Sequence, residues 1–234
     1  MASETDTRPW LSAPLGAWPP DDTEESVVGT DLHQTTIINL RWGINEVAHL
    51  HTEPGQNVPW QALDQTLVTG FERRDGSRYK TMPDVFVYRH PIDQSRGSVA
   101  VGLDGPPALI VEVLSESTYD VDLDLDRGKG YSYARAGVRE YLTIDPTGAF
   151  APEGIRAWRL TGDMYQPWAP DVDGRWRSRE IDVAFDLQGA LAGVFTRGGR
   201  RMLREGEVER ELARRDAELA DLRRLLREAR GERE

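Results

Sequence analysis

Three charged residues stand where a solvated surface would not put them: Asp84, Glu112 and Lys129. Asp84 opens the run Met82-Pro83-Asp84-Val85-Phe86-Val87-Tyr88, whose β-branched and aromatic residues, entered through a proline, predict a strand. Glu112 interrupts Ala108-Leu109-Ile110-Val111-Glu112-Val113-Leu114, apolar on either side of the one charge, which predicts a strand covered on both faces. An ionised carboxylate in such a strand is costly unless a cation, a metal or hydrogen-bond donors compensate it. An aspartate at a strand start and a glutamate on a neighbouring strand can converge on one hard cation. Mg²⁺ suits such a site, taking one or two carboxylates and keeping waters for substrate phosphate oxygens, and Mn²⁺ is a possible substitute. The backbone carbonyl of Val113 is a candidate third ligand. A lysine beside that metal would orient or deprotonate the attacking water, or stabilise charge on a scissile phosphate. Metal-assisted phosphodiester hydrolysis needs these parts.

The element that must deliver the lysine is a helix predicted from about Asp124 to Ala136, stopping at Gly137. Leu125, Lys129, Tyr133 and Ala136 share one of its faces, so the lysine points with the apolar stripe toward the sheet, unless it snorkels to water along its stem. Gly128 and Gly130 would weaken that helix, and their presence suggests a close approach to the backbone at that turn. Upstream, Asp120, Asp122, Asp124 and Asp126 lack the glycine and terminal glutamate of a calcium-binding loop and read as a solvated helix start. A second helix is predicted from Asp31 to about Ala48, with His33, Ile37, Leu40, Ile44 and Val47 at helical spacing. His33 is then either a core histidine with a satisfied hydrogen bond or a polar group facing the active site.

Around these elements, Leu67–Phe71 and Arg78–Thr81 predict short antiparallel strands that lead into the Asp84 strand as pieces of one curved sheet. Residues 89–107 read as a long connection. Glu140–Ile144 predicts a strand ended by Asp145-Pro146, and residues 156–168 predict a hairpin around Thr161-Gly162-Asp163. A strand over Ile181–Phe185 and a short helix over Leu191–Phe195 complete the globular part. From Glu205 onward Leu212, Leu219 and Leu226 stand seven apart with Val208 and Leu222 between them, which predicts a heptad helix for self-association, although Arg215 falls at a core position. Residues 1–24 read as an extended arm.

Composition narrows the chemistry. Without cysteine, disulfides, thiolate ligands and cysteine nucleophiles are excluded. The sequence has no apolar stretch long enough for a membrane span and no signal-peptide pattern at its start, so a cytoplasmic protein without membrane contact is expected. The net charge of −11 argues against nucleic-acid binding through a large basic surface, although a metal or a local basic groove can offset it.

The ordered series Pro83-Asp84, Val111-Glu112-Val113-Leu114-Ser115, Lys129, Tyr133-Ala134-Arg135-Ala136-Gly137-Val138-Arg139-Glu140-Tyr141 and Asp145-Pro146 resembles the Uma-type restriction endonuclease family of the PD-(D/E)XK nuclease superfamily. The resemblance covers roughly residues 25–195. It implies an α/β fold with a restriction-endonuclease-like core, a mixed curved sheet flanked by helices, here followed by the C-terminal coiled-coil helix. The expected division is an arm over 1–24, a nuclease-like domain over 25–196 and a heptad helix over 197–234. In the general superfamily pattern the lysine lies two residues after the glutamate, where this chain has Leu114; in the Uma-type branch the following helix supplies it, which maps it to Lys129. The resemblance also implies an early acidic residue, loosely matched by Glu25 ahead of Gly29 and His33, and an aspartate four residues before the lysine, where this chain has Leu125 between Asp124 and Asp126. The expected function is a Mg²⁺-dependent endonuclease hydrolysing phosphodiester bonds of DNA, working as a homodimer. A catalytically silent nuclease-fold adaptor or nucleic-acid-binding module dimerised through its C-terminal helix is the alternative, and another phosphoryl substrate is a third.

Overall fold

A computed structural model of the protein describes residues 31–229. The expected N-terminal arm and Glu25 lie outside the described residues. In chain order the elements are α1 (Asp31–Leu50), β1 (Gln61–Asp64), β2 (Leu67–Glu72), β3 (Arg78–Thr81), β4 (Val85–Tyr88), β5 (Ser98–Ala100), α2 (Val101–Asp104), β6 (Leu109–Val113), α3 (Tyr119–Leu123) and α4 (Lys129–Ala136). After these come β7 (Glu140–Ile144), β8 (Ile155–Thr161), β9 (Met164–Pro167), β10 (Trp176–Arg177), β11 (Val183–Gln188), β12 (Leu191–Thr196) and α5 (Glu205–Ala229).

Six strands form the central sheet in the order β1-β4-β6-β7-β8-β9, with β6 and β7 parallel and every other neighbouring pair antiparallel. Its strands are buried on both faces because each face has its own core. Val85, Val87, Leu109, Val111, Val113, Leu142 and Ile144 pack with Ile37, Leu40, Ile44 and Val47 of α1 and with residues of β11 and β12. The alternate residues Phe86, Tyr88, Ile110 and Tyr141 join Phe71, Tyr79, Tyr133 and Val138 in a second, largely aromatic core. This is the period-two alternation of a strand, applied to a sheet covered above and below. On the α1 side Gly43 sets the approach of the layers: a Cβ there would come within 2.8 Å of Val194 Cβ.

Parallel pairing of β6 with β7 demands a crossover, and α3 and α4 form it. The predicted single helix over 124–136 is interrupted. Asp124 is extended (φ −84, ψ 106), and its carboxylate accepts from the backbone N–H groups of Asp126 and Arg127, so the chain turns there and re-enters helix only at Lys129. The stop at Gly137 is as expected, in the left-handed region at φ 88. The close approach at the glycines is also present: a Cβ on Gly128 would stand 2.3 Å from the carbonyl oxygens of Val121 and Asp124.

Three other expectations are corrected. β2 and β3 do not continue into the sheet of β4; with β5 they make a separate three-stranded sheet, β3-β2-β5. Pro83 stands between β3 and β4 without a backbone N–H for a ladder, and the register of β2 with β3 shifts between Thr69 and Phe71. The connection 89–107 is accordingly structured in part, since β5 pairs parallel with β2. Leu191–Thr196 is the strand β12, not a short helix; a brief apolar run has no periodicity to separate the two, and pairing with β11 decides it.

The chain falls into two compact units, one ending at Met202 and the other starting at Leu203. In the second, α5 carries i,i+3 and i,i+4 ion pairs such as Arg214–Glu211, Arg215–Glu211 and Arg224–Asp221.

The end of β7 is fixed by Asp145, whose fully buried carboxylate accepts from Thr147 N and Oγ1, Gly148 N, Phe150 N and Ala151 N at 2.6–2.9 Å. Burial pushes this carboxyl up, but the hydrogen bonds outweigh it and hold it below the usual carboxylate value. Asp145→Ala should therefore cost roughly 2–4 kcal/mol in denaturant unfolding at neutral pH. Because the folded-state value is depressed, that contribution is present above the unfolded value and is lost as pH falls below about 4, so wild type and variant should converge in acid.

Candidate active site

Strand parity puts Glu112 on the aromatic-core side of the sheet, the same side as Ile110, where α4 covers it. The residue is 1 % exposed. Its Oε1 accepts from the Tyr133 hydroxyl at 2.5 Å and lies 3.3 Å from Lys129 Nζ. Tyr133 is one helical turn after Lys129, so a single face of α4 supplies both groups. Asp84, immediately before β4, reaches the adjacent strand end: its Oδ2 accepts from Val113 N at 2.7 Å, while its own N–H donates to Glu112 Oε2 at 3.2 Å. Asp84, Glu112 and Val113 are thus tied to one another by direct hydrogen bonds.

His33 belongs to this cluster. From the first turn of α1 its Nε2 donates to Val113 O at 3.0 Å and lies 3.5 Å from Asp84 Oδ2. Burial pushes the imidazole down, but the hydrogen bond and charge of Asp84, the Val113 carbonyl and the charge of Asp122 together raise it above its ordinary value.

A residue not expected at the site is Asp122. Read from sequence as part of a solvated helix start, it is 1 % exposed, and its Oδ1 lies 3.0 Å from Lys129 Nζ. Lys129 therefore bridges two buried carboxylates. Asp122 stands on α3, seven residues before the lysine, and the turn at Asp124 folds it back onto α4. Neither Asp124 nor Asp126 takes this place: Asp124 caps the turn and Asp126 is exposed. The available signal was the apolar flank of Val121 and Leu123 on either side of Asp122, which alternating acids masked.

Glu112 and Asp122 thus share one lysine, with the Asp84 carboxylate beside them on Val113 N and His33. Burial pushes the Glu112 carboxyl well up; the Lys129 ammonium opposes this, while the charges of Asp122 and Asp84 add to it. Asp122 is raised too, chiefly by burial and against the pull of Lys129. Among the described residues, no three His, Cys, Asp or Glu side chains form a preassembled metal cage. The oxygen donors of Asp84, Glu112 and the Val113 carbonyl are nevertheless of the kind a hard divalent cation takes, and the excess of negative charge over the one lysine fits such a cation. Among the described residues no helix is long and apolar enough to cross a membrane.

Replacing Lys129 by Met would leave Glu112 and Asp122 buried without their cation. A loss of roughly 3–5 kcal/mol at neutral pH is expected. Both carboxyls are raised in the folded state, so that loss should shrink as pH falls through their raised range and they take up protons, read as a rising melting temperature of the variant.

The sequence matches the model of the Uma2 family, described as "Putative restriction endonuclease", over residues 25–191. A comparison with curated proteins yields no match. The matched span takes in α1, the central sheet and the crossover that carries Lys129. Restriction-endonuclease-like families generally use divalent metals. By this match over most of its length, together with the mixed six-stranded sheet flanked by helices, the chain belongs to the Uma2 family of nuclease-like proteins.

Proposed function

We propose that this protein is a divalent-metal-dependent endonuclease that hydrolyses phosphodiester bonds of DNA, with Mg²⁺ as the metal and Mn²⁺ as a substitute. The observation that carries this reading is the meeting of Asp84, Glu112 and Lys129 at one end of β4 and β6. Asp84, Glu112 and the carbonyl of Val113 would hold the cation. Bound there, a divalent cation supplies Lewis-acid polarisation of a phosphoryl oxygen and a lowered pKa for an attacking water.

The chain's own residues do the rest. Lys129 Nζ, fixed between Glu112 and Asp122, presents positive charge to oxygens of the scissile phosphate and a donor that orients the nucleophile. His33 holds the Val113 carbonyl from the α1 side, and Tyr133 fixes Glu112 Oε1. Asp122 is a positioning residue that acts through Lys129.

Calorimetric titration with Mg²⁺ or Mn²⁺, paired with cleavage of plasmid and single-stranded DNA, tests the assignment. Asp84→Ala and Glu112→Ala should lose metal binding and cleavage, whereas Lys129→Ala should keep most of the metal binding and lose turnover by at least about a hundredfold. Equal cleavage by all three variants and wild type would remove the site. Because burial raises Glu112, metal affinity should rise with pH as that carboxyl gives up its proton, with proton release visible as a dependence of the heat on the buffer.

The second reading, a catalytically silent adaptor dimerised through its tail, is favoured by α5, on which Leu212, Leu219, Leu222, Leu225 and Leu226 are 48–58 % exposed. A homodimer formed through this helix is compatible with both readings. Truncation after Gly206 should lower the mass measured by light scattering to that of a monomer and leave the melting temperature of the remaining domain in place. An unchanged oligomer would remove the tail as the dimer contact.

A further inference from the structure

The other end of the same sheet carries a feature the proposed chemistry does not use. Two adjoining clefts, of about 520 and 670 Å³, share Arg159, Arg179 and Glu180. Their walls hold six arginines, Arg89, Arg139, Arg159, Arg177, Arg179 and Arg197, against the three carboxylates Glu140, Glu180 and Asp182, in a chain whose net charge is −11. Arg89 follows β4 at the end away from Asp84, and Arg139 precedes β7, which runs parallel to β6. A five-residue strand places this groove about 15 Å from the carboxylate cluster.

The groove is built and rigid at its base. Glu140 is buried and saturated: Arg159 Nε donates to it at 3.0 Å, Arg179 N at 2.8 Å, and the Ser178 hydroxyl also donates to it. This carboxylate pins the segment 177–179 against β7 and β8. Arg159 lies over the Trp168 ring at 4.0 Å and donates to the carbonyl of Arg177, and Arg177 in turn donates to the carbonyl of Arg197 at 3.2 Å. Both of these guanidiniums are also ion-paired, Arg159 with Glu140 at 3.0 Å and Arg177 with Asp171 at 3.2 Å, so they build the floor of the groove and leave the free positive charge to its rim. On the rim, Arg89 and Arg139 reach the same Glu180, at 3.5 and 3.8 Å, so one carboxylate faces two cations. The exposed side chains of Arg179 and Arg197 have no ion-pair partner among the described residues.

We infer that this groove binds the sugar-phosphate backbone of a nucleic acid, at a second surface remote from the carboxylate cluster. Arg179 and Arg197 without an ion-pair partner among the described residues, and Arg89 and Arg139 sharing the single Glu180, put net positive charge along two connected clefts, which matches a row of phosphates better than one anion, and arginine forks pair with phosphate oxygens through two parallel hydrogen bonds. The inference rests on the nucleic-acid reading proposed above, but assigns the contact to residues that take no part in hydrolysis.

Anisotropy of a fluorescein-labelled single-stranded DNA of about 20 nucleotides, measured in EDTA on the full chain so that cleavage is silent, tests it. The double variant Arg179→Ala/Arg197→Ala removes two exposed side chains and should fold as wild type. Its Kd should rise by roughly an order of magnitude, and its salt slope should fall by about 1.5, as expected for two lost phosphate contacts. An affinity and slope equal to wild type would overturn the groove, while plasmid cleavage lost in Glu112→Ala would leave the hydrolytic reading standing. Conversely, weakened binding in the arginine variant with cleavage unaffected by Glu112→Ala would keep the groove and remove the active site. Full displacement of the DNA by inorganic phosphate at constant ionic strength would reduce the groove to a single-anion pocket and overturn the proposal, as would failure of the wild-type chain to bind the DNA.

Discussion

A negative charge buried in the middle of a sheet is the constraint from which the rest of this structure follows. Glu112 has apolar residues on either side along β6 and strands on both edges, so water cannot solvate it. Compensation has to come from the layer above, which is why α4 lies there with a lysine in its first turn and a tyrosine in its second. The aromatic core beneath α4, with Phe71, Tyr133 and Tyr141 in edge contact, fixes the helix at a height from which both groups reach one carboxylate.

The same constraint explains the acidic stretch before α4. One lysine between Glu112 and Asp122 cannot neutralise both, and Asp84 adds a third carboxylate within the same field. Proteins tolerate such an excess where it does work, because each unpaired charge raises the energy of the folded chain. Backbone donors share part of the load: the N–H of Val113 serves Asp84, and the N–H of Asp84 serves Glu112. The arrangement fixes the relative positions of β4 and β6 and of the carboxylate oxygens.

Strand parity and helical spacing made Asp84, Glu112 and Lys129 legible in the sequence, because a charge inside an apolar period is a conflict that only a site or a partner resolves. His33 was visible as a polar residue on an apolar face, but nothing local says which strand end it meets, since Val113 lies 80 residues away. Asp122 was hidden by its neighbours: among four alternating aspartates, only the turn at Asp124 decides which one is turned inward. The separate β3-β2-β5 sheet and the strand character of Leu191–Thr196 were illegible for a related reason, as both depend on pairing with segments that no local pattern names.

The lysine rides on the crossover between β6 and β7, a segment that the parallel pairing of those strands makes indispensable. The other members of the cluster come from distant points of the chain: Asp84 is 29 residues before Val113, and His33 is 80 before it. Closing such loops carries an entropic cost that is met only once the sheet and both of its covering layers have formed together. The cluster therefore has no existence in a fragment or in a partly assembled chain. The acids and the lysine are thus brought together by the pairing of β7 with β6, which makes the cluster a property of the assembled sheet and not of any one segment.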